Sequence, residues 1–191
     1  MLKKDIGLLV LIIVVGAVVA IINPRFLSPI NIANTANLVG LFGIFAIGQG
    51  FVIITGGIEL SVGSVIALLG VIFIDLIANQ GVAWPVAILL VIIIGFVIGL
   101  IHGLLVTRLK LQPFVVTLCG LLIYRGIARF YTQDATAGFP FGVNFPTLEW
   151  LLTGRTDFVA LATGDSLHSL PLPHSFVFML ALAVVMWFVL H

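Results

Sequence analysis

Six apolar runs, each close to the length that crosses a membrane, constrain the fold of this chain more than any other feature. A transmembrane helix needs about 20 mainly apolar residues. The runs cover residues 6–22, about 33–55, 62–78, about 84–106, about 113–131 and 174–191. They predict an all-α protein, a polytopic transmembrane helical bundle with about six spans.

Composition agrees with this class. Of the 191 residues, 62% are hydrophobic and 8% are charged, whereas a soluble domain has about 25% charged residues. Eight basic and seven acidic side chains give a formal net charge of +1 and form no basic patch, so we expect no nucleic-acid partner. The single cysteine, Cys119, excludes an intrachain disulfide, and we expect it to be a small buried residue within its apolar run.

Basic residues in short loops predict the orientation. Lys3 and Lys4 precede the first run, and Arg108 and Lys110 lie between the fourth and fifth. Such residues are enriched on the cytoplasmic side, so we expect a cytoplasmic N-terminus. The first run is too long for a signal peptide and lacks a cleavage site, so it is interpreted as a retained span.

The longest polar stretch, residues 132–173, is then periplasmic. Within it Pro146 begins a short apolar segment, a position that proline favours at helix starts. We expect a short interfacial helix over 146–152, anchored by Trp150, and loop elsewhere in the stretch.

A glycine-rich break at residues 54–64 separates the second and third runs and carries Glu59. Irregular backbone at membrane depth is tolerated only where protein or a water-filled cavity surrounds it, and a carboxylate there is a candidate pathway residue. Two interpretations stay open: Glu59 lies at the mouth of a pathway and controls a gate, or it caps the third span. Ser61 is a further cap candidate.

Uncharged polar residues on the second run, Asn34, Gln49 and Thr55, suit either a sugar pathway or hydrogen bonds between helices. Asp75 and Asn79 share one face of the third run and mark either a polar cavity or the periplasmic interface.

His102, alone on the fourth run, is either a packed, hydrogen-bonded histidine or a ligand or proton relay. Arg125 and Arg129 share a face of the fifth run, either lining the outer mouth or reaching the interface. The four-residue repeat of Gly95, Gly99 and Gly103 predicts close approach of another helix.

Two stretches carry a family resemblance. Residues 57–64 read Gly-Ile-Glu-Leu-Ser-Val-Gly-Ser and resemble the signature of the permease subunits of bacterial ribose/xylose-type sugar ABC importers, which most often have Asp at the position of Glu59. Gln112, Phe114, Thr117 and the Arg125–Gly126 pair match a second pattern of that family. At position 49 the family more often has an apolar residue, so the resemblance implies no role for Gln49.

The resemblance implies the membrane permease of an ATP-driven monosaccharide importer in the bacterial inner membrane. It implies about ten spans, of which residues 1–191 are the N-terminal part of one ABC permease domain that stops within or just after the sixth span. It also implies three partners: a second permease copy, identical or paralogous, a cytoplasmic ATP-binding subunit and a periplasmic sugar-binding protein. The segment that engages the ATPase would follow His191, so we expect no coupling to ATP by these residues alone.

Within this interpretation, the translocation path and its gate are assigned to Gln49, Thr55, Glu59, Ser61 and Arg125. No Gly-x4-Gly-Lys-Ser/Thr motif, metal-binding motif or nucleophile motif occurs. We therefore expect no enzyme activity, no catalytic residue, no cofactor and no metal in this chain, and ATP hydrolysis in a partner subunit. A secondary transporter and a non-transporting membrane scaffold remain alternatives.

Overall fold

The computed structural model describes residues 2–139, 144–157 and 171–190. These residues are mainly helical, as the apolar runs predict. The helices are α1 (Leu2–Ile22), a 3-10 turn (Pro24–Leu27), α2 (Pro29–Ile54), α3 (Val62–Ala78), α4 (Trp84–Thr107), α5 (Pro113–Thr132), α6 (Pro146–Thr153) and α7 (His174–Leu190).

Each of the six predicted spans corresponds to a helix whose ends differ from the prediction by a few residues. Within the described part of the chain, α2, α4 and α5 are long and apolar enough to cross a membrane, and α1, α3 and α7 contain shorter apolar stretches. The chain is therefore a polytopic helical membrane protein. Helix α2 is continuous to Ile54, so the break lies after the second span and not within it.

The end of α2 follows from two adjacent glycines. Gly56 has φ +76°, in the left-handed region that glycine adopts without steric cost. Its N–H donates to the carbonyl of Ile53, and the N–H of Gly57 donates to that of Val52. This pair of bonds is the Schellman arrangement that commonly terminates helices, and it turns the chain into the polar segment before α3.

The chain divides into two compact units. One contains the described residues of Met1–Ile47 and Glu149–His191. Here α7 lies directly on α2, and the backbone of Ser175 and Phe176 approaches Gly40 so closely that a Cβ atom would collide with it. The Ser175 hydroxyl donates to Asn37 Oδ1 at 2.7 Å, which fixes the same crossing by a hydrogen bond.

The predicted short helix of residues 146–152 is present as α6, but the loop prediction missed a pair of strands in this first unit. β1 (Arg155–Thr156) pairs antiparallel with β2 (Leu172–Pro173). His174 follows β2 and is buried; its Nε2 lies 2.7 Å from Thr156 Oγ1. The edge of the Trp150 ring packs on His174 with centroids 4.7 Å apart, so Trp150 has a partner within the protein.

The second unit, Gly48–Leu148, contains α3, α4 and α5, which pack against one another. Its buried apolar cluster consists of Ile77, Ala87 and Leu148. The buried residues of α5 share one face of that helix: Val116, Thr117, Gly120 and Ala128. This face brings polar Thr117 into the packed interior, which matters for the site below.

The prediction for Cys119 is wrong, because the side chain is exposed. An α-helix turns by about 100° per residue, which places Cys119 about 160° around the helix from buried Thr117. An apolar run in a membrane helix therefore does not indicate burial within the protein, because lipid covers the outward face.

We expect Gly40→Ala to weaken the α2–α7 crossing, because the added methyl group meets backbone atoms that cannot rotate away. Overpacking of this kind costs about 1–3 kcal/mol. The measurement is the unfolding temperature of the purified permease in detergent.

Gly48→Ala is the matched control for this prediction. It changes the same helix at a position where nothing lies within 4 Å of the new Cβ atom. We expect an unfolding temperature equal to or above that of the wild type, since alanine is the better helix former. An equal fall in unfolding temperature for both variants would show that the effect of Gly40→Ala does not come from the contact at Gly40.

Candidate functional site

Residues 55–61 connect α2 to α3 and are called here the Glu59 loop. The backbone of this loop is contacted by one side chain from α2 and one from α5. Gln49 on α2 donates from Nε2 to the Glu59 carbonyl at 3.1 Å. The Oγ1 of Thr117 on α5 lies 3.1 Å from the Ile58 carbonyl and 2.9 Å from the Pro113 carbonyl within α5, so its single O–H proton is shared between the loop and its own helix. These bonds satisfy two backbone carbonyls that no regular secondary structure pairs, which is the requirement for irregular backbone at membrane depth.

The Glu59 carboxylate folds back on its own loop. Oε1 accepts hydrogen bonds from the N–H and the hydroxyl of Ser61, both at 2.6 Å. Glu59 thus bonds to the backbone N–H of Ser61, the residue that precedes α3, a contact that agrees with either interpretation of Glu59.

Ser61 occupies the N-cap position of α3, but its side chain makes no capping hydrogen bond. The prediction that it caps this helix is therefore wrong. Ser61 is 1% exposed. Its hydroxyl donates to Glu59 Oε1 instead. The following turn is fixed by Ser64, which donates to the Ser61 carbonyl at 2.7 Å.

His102 on α4 connects the loop to α5. Its Nδ1 lies 3.6 Å from Glu59 Oε2, and its Nε2 lies 2.9 Å from the Tyr124 hydroxyl. The contact with Tyr124 is a hydrogen bond whose direction is set by the tautomer of the ring. The 3.6 Å separation from Glu59 exceeds hydrogen-bond length and makes that contact electrostatic.

Gly120 makes room for this histidine. A Cβ atom at position 120 would lie 2.8 Å from both Cε1 and Nε2 of His102. The His102 and Glu59 side chains are 11% and 20% exposed, respectively. The pair is thus largely withdrawn from the surface of this unit, and the interpretation of His102 as a packed, hydrogen-bonded histidine is confirmed.

A groove of about 430 Å³, called here the loop groove, opens beside these residues. Its polar side chains are Thr55, Glu59, His102, Thr107 and Thr117, and its other borders are largely apolar. Gly99 and Gly103 also border it, and nothing lies within 4 Å of a Cβ atom at either. Only Gly95 of the glycine repeat meets another helix, where Leu69 Cδ1 would lie 3.3 Å from its Cβ.

The remaining predicted site residues lie apart from this cluster. Thr55 borders the groove but donates its hydroxyl to the Val52 carbonyl at 2.8 Å. Asn34 belongs to the first unit and accepts a hydrogen bond from Arg155 at 2.6 Å. Arg125 is exposed and makes no hydrogen bond or ion pair within the described ranges.

The sequence analysis did not predict that Thr117, Tyr124 and His102 belong to one network of contacts around the Glu59 loop. Thr117 belongs to the pattern of residues 112–126 and is the one polar residue on the buried face of α5. Helical periodicity combined with that pattern could therefore have indicated Thr117 as a site residue. Nothing in the sequence pairs His102 with Glu59, since 43 positions separate them. No three His, Cys, Asp or Glu side chains in the described ranges lie close enough to bind a metal ion.

The fold and the site define a class: a multi-pass helical membrane protein in which a polar loop, bonded to the surrounding helices, interrupts the apolar spans beside a groove. The family described as branched-chain amino acid transport system / permease component matches residues 31–191. The chain belongs to this family of transport permeases, which confirms the resemblance carried by residues 57–64 and 112–126.

Three relatives are similar over much of the chain. The ribose import permease protein RbsC of Bacillus subtilis is 37% identical over 97% of this chain. That of Haemophilus influenzae is 38% identical over 72%, and the galactofuranose transporter permease protein YtfT of Escherichia coli is 39% identical over 70%. The chain covers 52%, 42% and 37% of these relatives' own lengths. No solved structure matches this chain.

We expect Thr117→Val to loosen the Glu59 loop, because valine keeps the shape of threonine and removes the donor to the Ile58 carbonyl. Loss of one such hydrogen bond costs about 1 kcal/mol, or about a fivefold increase in loop opening. The measurement is amide hydrogen exchange of residues 55–61 in the purified permease.

Thr107→Val is its control. Thr107 also borders the loop groove, but its hydroxyl donates only to the Gly103 carbonyl within α4, at 2.7 Å. We expect unchanged exchange in the loop. Similar exchange in both variants would remove Thr117 as the residue that holds the loop.

Proposed function

We propose that this chain forms part of the membrane permease of an ATP-driven monosaccharide importer, and that the Glu59 loop lines and gates its translocation path. The observation that carries the proposal is the convergence of Gln49, His102 and Thr117 on one loop beside an open groove. A connecting segment at membrane depth needs partners for its carbonyls, but it does not need a carboxylate held beside an imidazole at the border of a groove.

The strength of these contacts suits a gate. Each neutral hydrogen bond contributes about 1 kcal/mol net, and moving elements are drawn from the less stable parts of a structure. The loop is held by two long-range neutral bonds and one electrostatic contact, so a change in the packing of α4 or α5 releases it at modest cost. Glu59 and Ser61 then move together, because their own bonds are internal to the loop.

A neutral sugar is the substrate class that this wall suits. Sugar hydroxyls need exchangeable partners, and the hydroxyl oxygens of Thr55, Thr107 and Thr117 on the border of the groove can accept hydrogen bonds from them. The relatives named above include permeases for ribose and galactofuranose. Arg125, exposed on α5, is proposed to line the path outside the loop groove.

The proposed assembly contains a second permease copy, a cytoplasmic ATP-binding subunit and a periplasmic sugar-binding protein in the bacterial inner membrane. Residues 1–191 are taken as part of one permease domain, with the N-terminus cytoplasmic. This orientation is supported by the basic residues Lys3, Lys4, Arg108 and Lys110. In this orientation the Glu59 loop faces the cytoplasm. The proposed role of the permease is to gate the path, without covalent chemistry.

We expect Glu59→Ala to lower sugar uptake more than tenfold at an unchanged amount of permease in the membrane. The variant removes the acceptor of both Ser61 bonds and the partner of His102. The measurement is uptake of labelled D-ribose by cells that carry the complete importer.

Ser61→Ala, which keeps the Glu59–amide bond, should have a smaller effect on uptake than Glu59→Ala. Glu149→Gln on exposed α6 is the control for a lost carboxylate and should transport normally. Normal uptake by Glu59→Ala at normal membrane levels would remove the pathway role of the loop.

We expect uptake to stop when ATP is depleted and to continue when a protonophore collapses the ion gradient while ATP is maintained. The measurement is the initial rate of D-ribose uptake in proteoliposomes with the partner subunits, with L-leucine as the comparison substrate because the family description names amino acids. Uptake that follows the ion gradient would favour the secondary transporter, and preferential uptake of leucine would contradict the sugar assignment.

A further inference from the structure

A second polar cluster lies at the opposite end of α3 from the Glu59 loop. Asp75 belongs to the last turn of this helix, whose 17 residues span about 25 Å at 1.5 Å per residue. The prediction that Asp75 and Asn79 share one face of this helix is confirmed, since Asn79 Nδ2 donates to Asp75 Oδ1 at 2.7 Å.

Two further donors reach the same carboxylate. Gln80 donates from Nε2 to Oδ2 at 2.7 Å, and the Tyr131 hydroxyl at the end of α5 donates to Oδ2 at 2.6 Å. Asp75 thereby becomes the common acceptor of three uncharged side chains from two elements. A carboxylate offers about four acceptor positions, so one position stays available.

The neighbouring backbone is strained. Gln133 and Asp134, directly after α5, have φ of +52° and +59°, a region that non-glycine residues adopt at a cost in free energy and that occurs preferentially at functional sites. Arg129 holds this turn by a hydrogen bond to Asp134, which also lowers the pKa of Asp134 and keeps its carboxylate charged.

The strained turn directs the following residues, 135–138, over Asp75 and so closes one side of a cavity of about 260 Å³, called here the Asp75 pocket. Its polar lining consists of Asp75, Asn79, Tyr131, Thr132 and Thr136. The volume lies just below the range of about 300–1,000 Å³ for small-molecule sites, so the pocket fits a small ligand and not an oligosaccharide.

We propose that the Asp75 pocket binds the hydroxyl groups of a single neutral sugar. The amide N–H of Asn79 and the Tyr131 O–H are used by Asp75. The fourth acceptor position of Asp75, the Asn79 carbonyl oxygen and the Thr136 hydroxyl remain to bond a ligand whose oxygens both donate and accept. A metal ion fits poorly, because three hydrogen-bond donors already point at the only carboxylate in the lining. The inference rests on the proposed function, and it adds a substrate site about one helix length from the Glu59 loop.

The test uses the complete permease solubilised with its partner subunits and carrying Ala137→Cys, which places a thiol at the pocket without removing a polar group. The rate of reaction with N-ethylmaleimide is measured with and without the sugar that the same complex takes up, chosen from D-ribose, D-xylose and D-galactose. We expect the sugar to slow modification at position 137 at least threefold. Ala83→Cys, at an exposed position directly before α4 and outside the pocket lining, is the control and should react at an unchanged rate.

Adding Asp75→Ala should abolish the protection, and Tyr131→Phe, which removes one hydroxyl, should reduce it. An unchanged rate of the Ala83→Cys control in both backgrounds verifies that the helices remain folded. Equal labelling of position 137 with and without a sugar that the complex transports would overturn the inference and leave the proposed function in place. Full protection in folded Asp75→Ala would also overturn it, whereas absence of ATP-dependent uptake of any of the three sugars would contradict the proposed function itself.

Discussion

The need to pair every backbone polar group within or beside the bilayer governs this structure. Long apolar helices meet that need internally, and the Glu59 loop cannot. Its carbonyls at Ile58 and Glu59 are paired instead by Thr117 and Gln49, and its carboxylate by Ser61. The packing of α3, α4 and α5 is therefore tied to one short segment, because the side chains that complete its hydrogen bonding come from the surrounding helices.

The same constraint explains the placement of small residues. Gly56 allows the chain to leave α2, and Gly120 allows His102 to lie against α5 beside Tyr124. At Gly99 and Gly103 the absence of a side chain instead leaves open space at the loop groove. Glycine thus serves three purposes in neighbouring elements: a helix end, a site for an imidazole ring and the border of a groove.

Periodicity and length were sufficient to predict the helices. The start of α3 at Val62 and of α5 at Pro113 followed from the end of the polar break and from the proline, and the Asp75–Asn79 pair followed from helical spacing. The capping role given to Ser61 and the burial of Cys119 were wrong, because both depend on which neighbour a side chain meets in three dimensions. His102 was interpreted correctly as packed and hydrogen-bonded, but its partners, Glu59 and Tyr124, come from different elements that no local pattern connects.

Helix α3 has a polar anchor at each end: Ser61 bonded to Glu59 before its first turn, and Asp75 bonded to Tyr131 in its last. A helix of this length behaves as a stiff rod. If it pivots about its middle by about 10°, each end moves by about 2 Å in opposite directions, given a rise of 1.5 Å per residue. A displacement of that size breaks the 2.6 Å bond of Tyr131 to Asp75 at one end. At the other end Glu59 and Ser61 move as one, so the contacts of Gln49 and Thr117 with the loop are strained instead, and α3 mechanically connects the two polar clusters.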